Sequence, residues 1–68
     1  MKKFEKIDQL KEGKLYLIKT NEGQRTIVFR DGNEIRSNSQ KEEGKPIRKF
    51  VEKDIIAYEE YFEDSNTQ

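Results

Sequence analysis

Cysteine, histidine and tryptophan are all missing from this chain of 68 residues. Without cysteine or histidine the chain can form no disulfide, no thiolate or imidazole metal site, and no nucleophile–base pair of the Ser-His or Cys-His type. Its glycines are spaced too widely to form a phosphate-cradling loop; they are Gly13, Gly23, Gly32 and Gly44. The sequence therefore predicts a non-catalytic protein with no cofactor and no metal.

Long apolar runs are missing as well, and none approaches the roughly 18 residues of a membrane-spanning helix. The N-terminus begins with lysines, but Glu5, Lys6 and Asp8 interrupt the apolar stretch that a signal peptide needs. These absences predict a cytoplasmic protein with no membrane partner.

Apolar residues are scarce, at 31 % of the chain against 41 % charged residues. High net charge, the second mark of a disordered chain, is absent because the formal net charge is zero. The four phenylalanines and three tyrosines are large apolar side chains that can form an ordered core. A chain of this length has room for one folding unit, so we expect a single small domain over residues 1–68.

Two apolar segments joined by a glycine-containing turn organise the chain between residues 14 and 36. Residues 14–20 include four consecutive apolar residues, which predict a strand covered on both faces. Residues 25–30 are rich in strand formers, and Gly23 provides the conformational freedom that the intervening turn requires. This pattern predicts an antiparallel hairpin at the centre of the fold.

Asp31-Gly32 predicts a second tight hairpin after the first. The strand that follows, residues 33–38, contains Ile35 as its one apolar residue, so we expect an exposed edge strand. Further segments complete the expected domain: a short strand and turn within residues 1–13, a long loop over 37–45, a strand over 47–51, a turn at 52–54 and a disordered tail over 63–68.

Residues 55–62 are compatible with two structures. Val51, Ile55, Tyr58 and Phe62 are spaced as on one face of a helix, which Asp54 could cap. The same segment is rich in strand formers, which favours a strand. We expect a strand and keep the helix as the alternative.

The spacing of these segments resembles the SH3-like small-barrel superfold, which includes Sm-like, KOW and Tudor-type domains. The residues that carry the resemblance are Leu10-x-x-Gly13-Lys14 before the first long strand and Val51-x-x-x-Ile55 before the last. The resemblance implies a five-stranded antiparallel barrel or meander of the all-β class (or β-rich α+β), with a single 3₁₀ turn between residues 51 and 55. It implies no particular function, because this superfold hosts many.

Charge is distributed unevenly along the chain. All 14 basic residues lie within residues 1–53, together with nine of the 14 acidic ones, whereas residues 54–68 contain the other five acidic residues and no basic one. Such asymmetry indicates either internal pairing between the two parts or a surface for a charged partner.

The first functional hypothesis is a protein-binding module or small regulatory inhibitor that acts through an acidic and aromatic C-terminal surface. Exposed aromatic side chains are favoured anchors of protein interfaces, and the edge strand at Ile35 could also accept an added strand. The composition further resembles that of small phage or mobile-element accessory proteins. The predicted contact residues are Tyr58, Glu59, Glu60, Tyr61, Glu63 and Asp64.

The alternative hypothesis is a nucleic-acid-binding small barrel. Arginine suits contacts to phosphate, and Phe29 and Phe50 stand next to basic residues, as in proteins that bind single strands. The predicted contact residues of this alternative are Arg25, Arg30, Arg36, Arg48 and Lys49.

Overall fold

The computed structural model of the chain describes residues 1–38 and 48–62. These residues form an all-β fold, as the sequence predicts. Its strands are β1 (Lys2–Lys3), β2 (Leu15–Thr20), β3 (Arg25–Asp31), β4 (Glu34–Ser37), β5 (Lys49–Phe50) and β6 (Ile55–Glu60). Two 3₁₀ turns, Ile7–Gln9 and Glu52–Asp54, complete the described secondary structure. No helix in the described part of the chain has the length and apolar character needed to cross a bilayer.

The six strands form one sheet in the order β1-β6-β2-β3-β4-β5, and every neighbouring pair is antiparallel. Strands β2 to β5 follow one another as a meander, and β6 then returns to lie beside β2. The expected antiparallel meander is confirmed. It gains a sixth strand because Lys2 and Lys3 pair with Tyr58 and Ala57 of β6.

Both predicted hairpin turns are present, and each depends on a glycine. Gly23 has a φ of 84° in the β2–β3 turn, where the buried Thr20 hydroxyl accepts hydrogen bonds from the backbone N–H groups of Glu22 and Gln24. Gly32 has a φ of 65° and begins the two-residue β3–β4 connection between Asp31 and Glu34. Positive φ at the first central position is the requirement of a type II′ hairpin, which glycine meets without steric cost.

One face of the sheet carries the core. Because side chains alternate along a strand, every second residue of β2 points to this face, which explains the burial of Tyr16, Ile18 and Thr20. The buried apolar cluster is completed from the other strands and from the N-terminal residues; its members are Phe4, Leu10, Tyr16, Ile18, Val28, Ile35, Phe50 and Ile55.

The N-terminal segment, residues 4–13, lies across this core face. Phe4 and Leu10 are buried in the cluster and Ile7 packs against it, so the three-residue spacing of these side chains serves burial. Hydrogen bonds attach the segment at several points: the Ile7 N–H donates to a Glu52 carboxylate oxygen at 2.7 Å, and an Arg30 guanidinium nitrogen donates to the Leu10 carbonyl at 3.0 Å. The segment contains the 3₁₀ turn Ile7–Gln9, and the short strand expected within residues 1–13 is β1, which precedes the segment.

Residues 55–62 form a strand through Glu60, so the helical alternative for this segment is wrong. The misleading spacing has a structural cause, which is a β-bulge. Lys19 pairs with Ala57 whereas the next residue, Thr20, pairs with Ile55, so that Ile56 is the extra residue in β6. The bulge brings Ile55 and Tyr58 to the core although they are three residues apart.

Three other expectations need correction. Strand β4 is not an edge, because it lies between β3 and β5, and Ile35 is 1 % exposed opposite Phe50. Strand β2 is not covered on both faces, because Leu15 and Leu17 remain partly exposed. The strand expected at residues 47–51 is confined to Lys49–Phe50 in the described part of the chain. Most of the loop expected over 37–45 and the tail over 63–68 lie outside the described residues.

Candidate protein-binding surface

A groove of about 680 Å³ lies between the N-terminal residues and β6. We call it the β6 groove. It contains three of the residues that the sequence predicts as protein contacts, Tyr58, Glu59 and Glu60. The other residues that line it are Met1, Lys2, Gln9, Lys11 and Tyr16.

Aromatic rings form the inner wall of the β6 groove. The Tyr58 ring packs edge-on against two others, with centroid distances of 5.8 Å to Phe4 and 6.0 Å to Tyr16. The Tyr16 hydroxyl in turn accepts a hydrogen bond from the Lys11 N–H at 2.8 Å, which fixes the N-terminal segment along the groove. The wall is therefore held in place by the core before any partner arrives.

Two carboxylates lie at the outer rim of the groove. The side chains of Glu59 and Glu60 are 50 % and 41 % exposed. Glu59 lies 3.8 Å from the N-terminal ammonium group, and Glu60 lies 3.1 Å from the Lys14 ammonium group. The internal pairing expected from the charge asymmetry thus exists for both residues, but ion pairs this exposed contribute little to stability.

The remaining predicted protein contacts lie differently. Tyr61 is half-buried, and its N–H donates to the Leu15 carbonyl beyond the end of β6. Glu63 and Asp64 lie outside the described residues. The aromatic residue that is most exposed is Phe62, at 74 %, which the sequence analysis did not include among the contacts.

The basic residues of the nucleic-acid alternative are not brought together on one surface. Arg30 is hydrogen-bonded within the chain, because its guanidinium donates to the carbonyls of Leu10 and Gly32. Arg48 is exposed, and its guanidinium carbon lies 4.9 Å from the Phe50 ring centroid in a cation–π contact. Arg25 is exposed at the opposite end of β3 from Arg30 and faces the other side of the sheet.

Arg36 and Lys49 do lie together, but with acidic partners. Arg36 donates to a Glu34 carboxylate oxygen at 3.0 Å, and the Lys49 ammonium donates to the other oxygen at 3.3 Å. The hydrogen bond from Arg36, followed by that from Lys49, holds the pKa of Glu34 below its ordinary value, and Glu34 raises the pKa of Arg36. Asp31 lies 3.7 Å from Arg36, so this basic pair is compensated locally.

A second feature, which the sequence analysis missed, lies on the face of the sheet opposite the core. Leu15 pairs directly with Phe29, and Leu17 with Ile27, so four partly exposed apolar side chains form a square on β2 and β3. We call this square the outer apolar face. The four consecutive apolar residues of β2 were the signal for it, since alternate members of such a run must point away from the core.

No family model, curated protein or solved structure is similar enough to this chain to count as a match.

Proposed function

We propose that this chain is a cytoplasmic, non-catalytic protein-binding module that holds a segment of a partner protein in the β6 groove. The observation that carries the proposal is the combination of a fixed aromatic wall around Tyr58 with the exposed carboxylates of Glu59 and Glu60. Aromatic contact area supplies affinity at low entropic cost, and flanking charges select the partner.

The chemistry of the groove favours a partner segment with a cationic side chain next to an apolar one. A lysine or arginine of the partner would replace the N-terminal ammonium near Glu59 or Lys14 near Glu60. The exchange costs little because both existing pairs are exposed. Phe62 and Met1, which are 74 % and 50 % exposed, offer apolar contacts nearby.

The fold in which we place this site is an SH3-like small barrel. Two features support that assignment: the order β6-β2-β3-β4-β5, and the single 3₁₀ turn Glu52–Asp54 that precedes β6. Strand β1 is then an addition that pairs with β6 and forms part of the groove.

Affinity capture with charge-reversed variants tests the proposed function. We expect the double variant Glu59→Lys/Glu60→Lys to recover roughly tenfold less of its protein partner from a cell extract than the wild type, because lysine at both positions repels the partner's cation at whichever carboxylate it binds. The matched control is Glu22→Lys in the exposed β2–β3 turn, outside the groove. Equal recovery by the double variant and the wild type would contradict the proposal.

Nucleic-acid binding is the second candidate. The observation in its favour is that Arg25 and Arg48 are exposed and have no carboxylate partner within residues 1–38 and 48–62. Fluorescence polarisation with single- and double-stranded probes distinguishes it, since such binding weakens steeply as salt increases. Binding at about 50 mM salt that Arg25→Ala/Arg48→Ala removes would favour this candidate over the first.

A further inference from the structure

The outer apolar face has no cover within the described residues. Leu15, Leu17, Ile27 and Phe29 lie on the two central strands of the sheet, where paired sheets in other proteins place their core. The buried core cluster lies on the opposite face of the sheet, and the N-terminal segment covers that opposite face. Four clustered apolar side chains on a central position indicate an interaction surface.

Pairs of like charge border the outer apolar face at both ends. Lys19 pairs directly with Arg25 at one end, and Asp31 pairs directly with Glu34 at the other. Like charges in direct cross-strand positions destabilise a sheet. Arg36 and Lys49 offset the acidic pair, whereas no carboxylate of the described residues lies within ion-pair distance of Lys19 or Arg25.

We propose that the outer apolar face binds the same face of a second copy of this chain, giving a two-fold symmetric dimer with two stacked sheets. In this arrangement the two-fold axis lies in the interface and runs across the strands. Leu15 of one copy then packs on Leu17 of the other, and Phe29 packs on Ile27.

The charges at the two ends of the outer apolar face favour a second copy of this chain as its binding partner. Arg25 and Asp31 lie on the same side of β3, six residues or about 20 Å apart, with Ile27 and Phe29 between them. The proposed axis reverses the strand direction between copies, so Arg25 of each copy meets Asp31 of the other. Arg25, which has no carboxylate partner among the described residues of one chain, therefore gains one in the dimer, and the same contact forms twice. An isologous interface requires this self-complementarity.

This dimer does not depend on the proposed function of the β6 groove. Tyr58 and Glu60 pair with Ile18 and Tyr16 and lie on the core side of the sheet. Glu59 pairs with Leu17 and borders the outer apolar face, so Glu60→Lys alone is the groove variant that leaves this face unchanged. The two surfaces can therefore fail separately in experiments.

Sedimentation equilibrium of the full chain between about 10 µM and 1 mM tests the dimer, since an interface of two short strands is at the small end of specific interfaces. We expect a monomer–dimer equilibrium in this range. Leu17→Lys and Ile27→Lys should each weaken it by at least roughly tenfold, because the charge lies at the centre of the interface. A chain that remains monomeric at about 1 mM would overturn the proposal.

A charge exchange makes the test specific to the proposed symmetry. Arg25→Asp and Asp31→Arg should each weaken dimerisation at least roughly threefold, whereas the double variant Arg25→Asp/Asp31→Arg should recover wild-type association because both ion pairs re-form with reversed polarity. Glu22→Arg, in the turn between β2 and β3, is the matched control and should change nothing. A dimer that tolerates Leu17→Lys, or single charge reversals without effect, would overturn this interface; far-ultraviolet circular dichroism verifies that every variant is folded.

Discussion

Tyr58 connects the core with the candidate site at the scale of single residues. Its ring contacts Phe4 of the N-terminal segment and Tyr16 of β2, and it also forms part of the wall of the β6 groove. The hydroxyl of Tyr58 makes no hydrogen bond with the described residues. Stability and site shape therefore depend on the ring and not on its oxygen.

This division of roles gives a prediction for two substitutions of Tyr58. Tyr58→Ala should lower the free energy of unfolding by about 2–3 kcal/mol, because it removes two aromatic contacts and leaves a cavity. Tyr58→Phe should lie within about 0.5 kcal/mol of the wild type. Urea unfolding followed by circular dichroism measures both, and a large loss in Tyr58→Phe would contradict the account.

Glu34 allows a prediction of pH dependence. Because the pKa of Glu34 in the folded chain lies below its ordinary value of 4.5, its ionised form stabilises the fold above that value. This contribution is lost as the pH falls through the lowered pKa. Glu34→Gln should therefore be less stable than the wild type at neutral pH and equal to it in strong acid.

Thermal unfolding of both proteins at a series of pH values measures this difference. The gap between the two melting temperatures should close on the acid side of pH 4.5. A gap that keeps its full size at about pH 2 would show that the loss in Glu34→Gln has another cause than the ion pairs with Arg36 and Lys49.

The grouping of Tyr58, Glu59 and Glu60 was predictable, because the three residues are consecutive in the chain and all line the β6 groove. Their role as protein contacts stays a prediction. The arginines were harder to place, because their roles depend on distant partners. Arg30 is occupied by the Leu10 carbonyl, twenty residues away, which no local pattern indicates.

At the scale of elements, the two hairpins were predictable and the bulge was not. Turn chemistry at Gly23 and Gly32 is a local property and fixed both connections. The position of β4 inside the sheet depends on its pairing with Lys49–Phe50, and the bulge at Ile56 depends on the register between β2 and β6. Both are set by long-range pairing, which a single sequence does not encode locally.

The β3–β4 hairpin gives a prediction at this scale. Gly32→Ala should lower the free energy of unfolding by about 1–2 kcal/mol, because a Cβ atom disfavours the φ of 65° although nothing stands within 4 Å of it. Asn33→Ala, at the neighbouring position where φ is not positive, is the matched control and should cost less. Chemical denaturation measures both free energies of unfolding. Equal losses in Gly32→Ala and Asn33→Ala would show that the positive φ at residue 32 is not the reason for the loss.

At the scale of the whole molecule, the two faces of the sheet have different roles. The core face is covered by the N-terminal segment, which also forms one side of the β6 groove. The outer apolar face has no cover within the described residues, and we propose that a second copy of the chain covers it. Under our two proposals, the chain has one surface for a partner protein and another for self-association.

The most direct test of the central claim, that a partner protein binds in the β6 groove, is an NMR titration of the ¹⁵N-labelled full chain with the captured partner. Our account predicts that amide signals shift along the groove, at Lys2, Gln9, Lys11, Tyr58, Glu59 and Glu60. Shifts confined to Arg25, Arg48 and Lys49, with the groove signals unchanged, would contradict it.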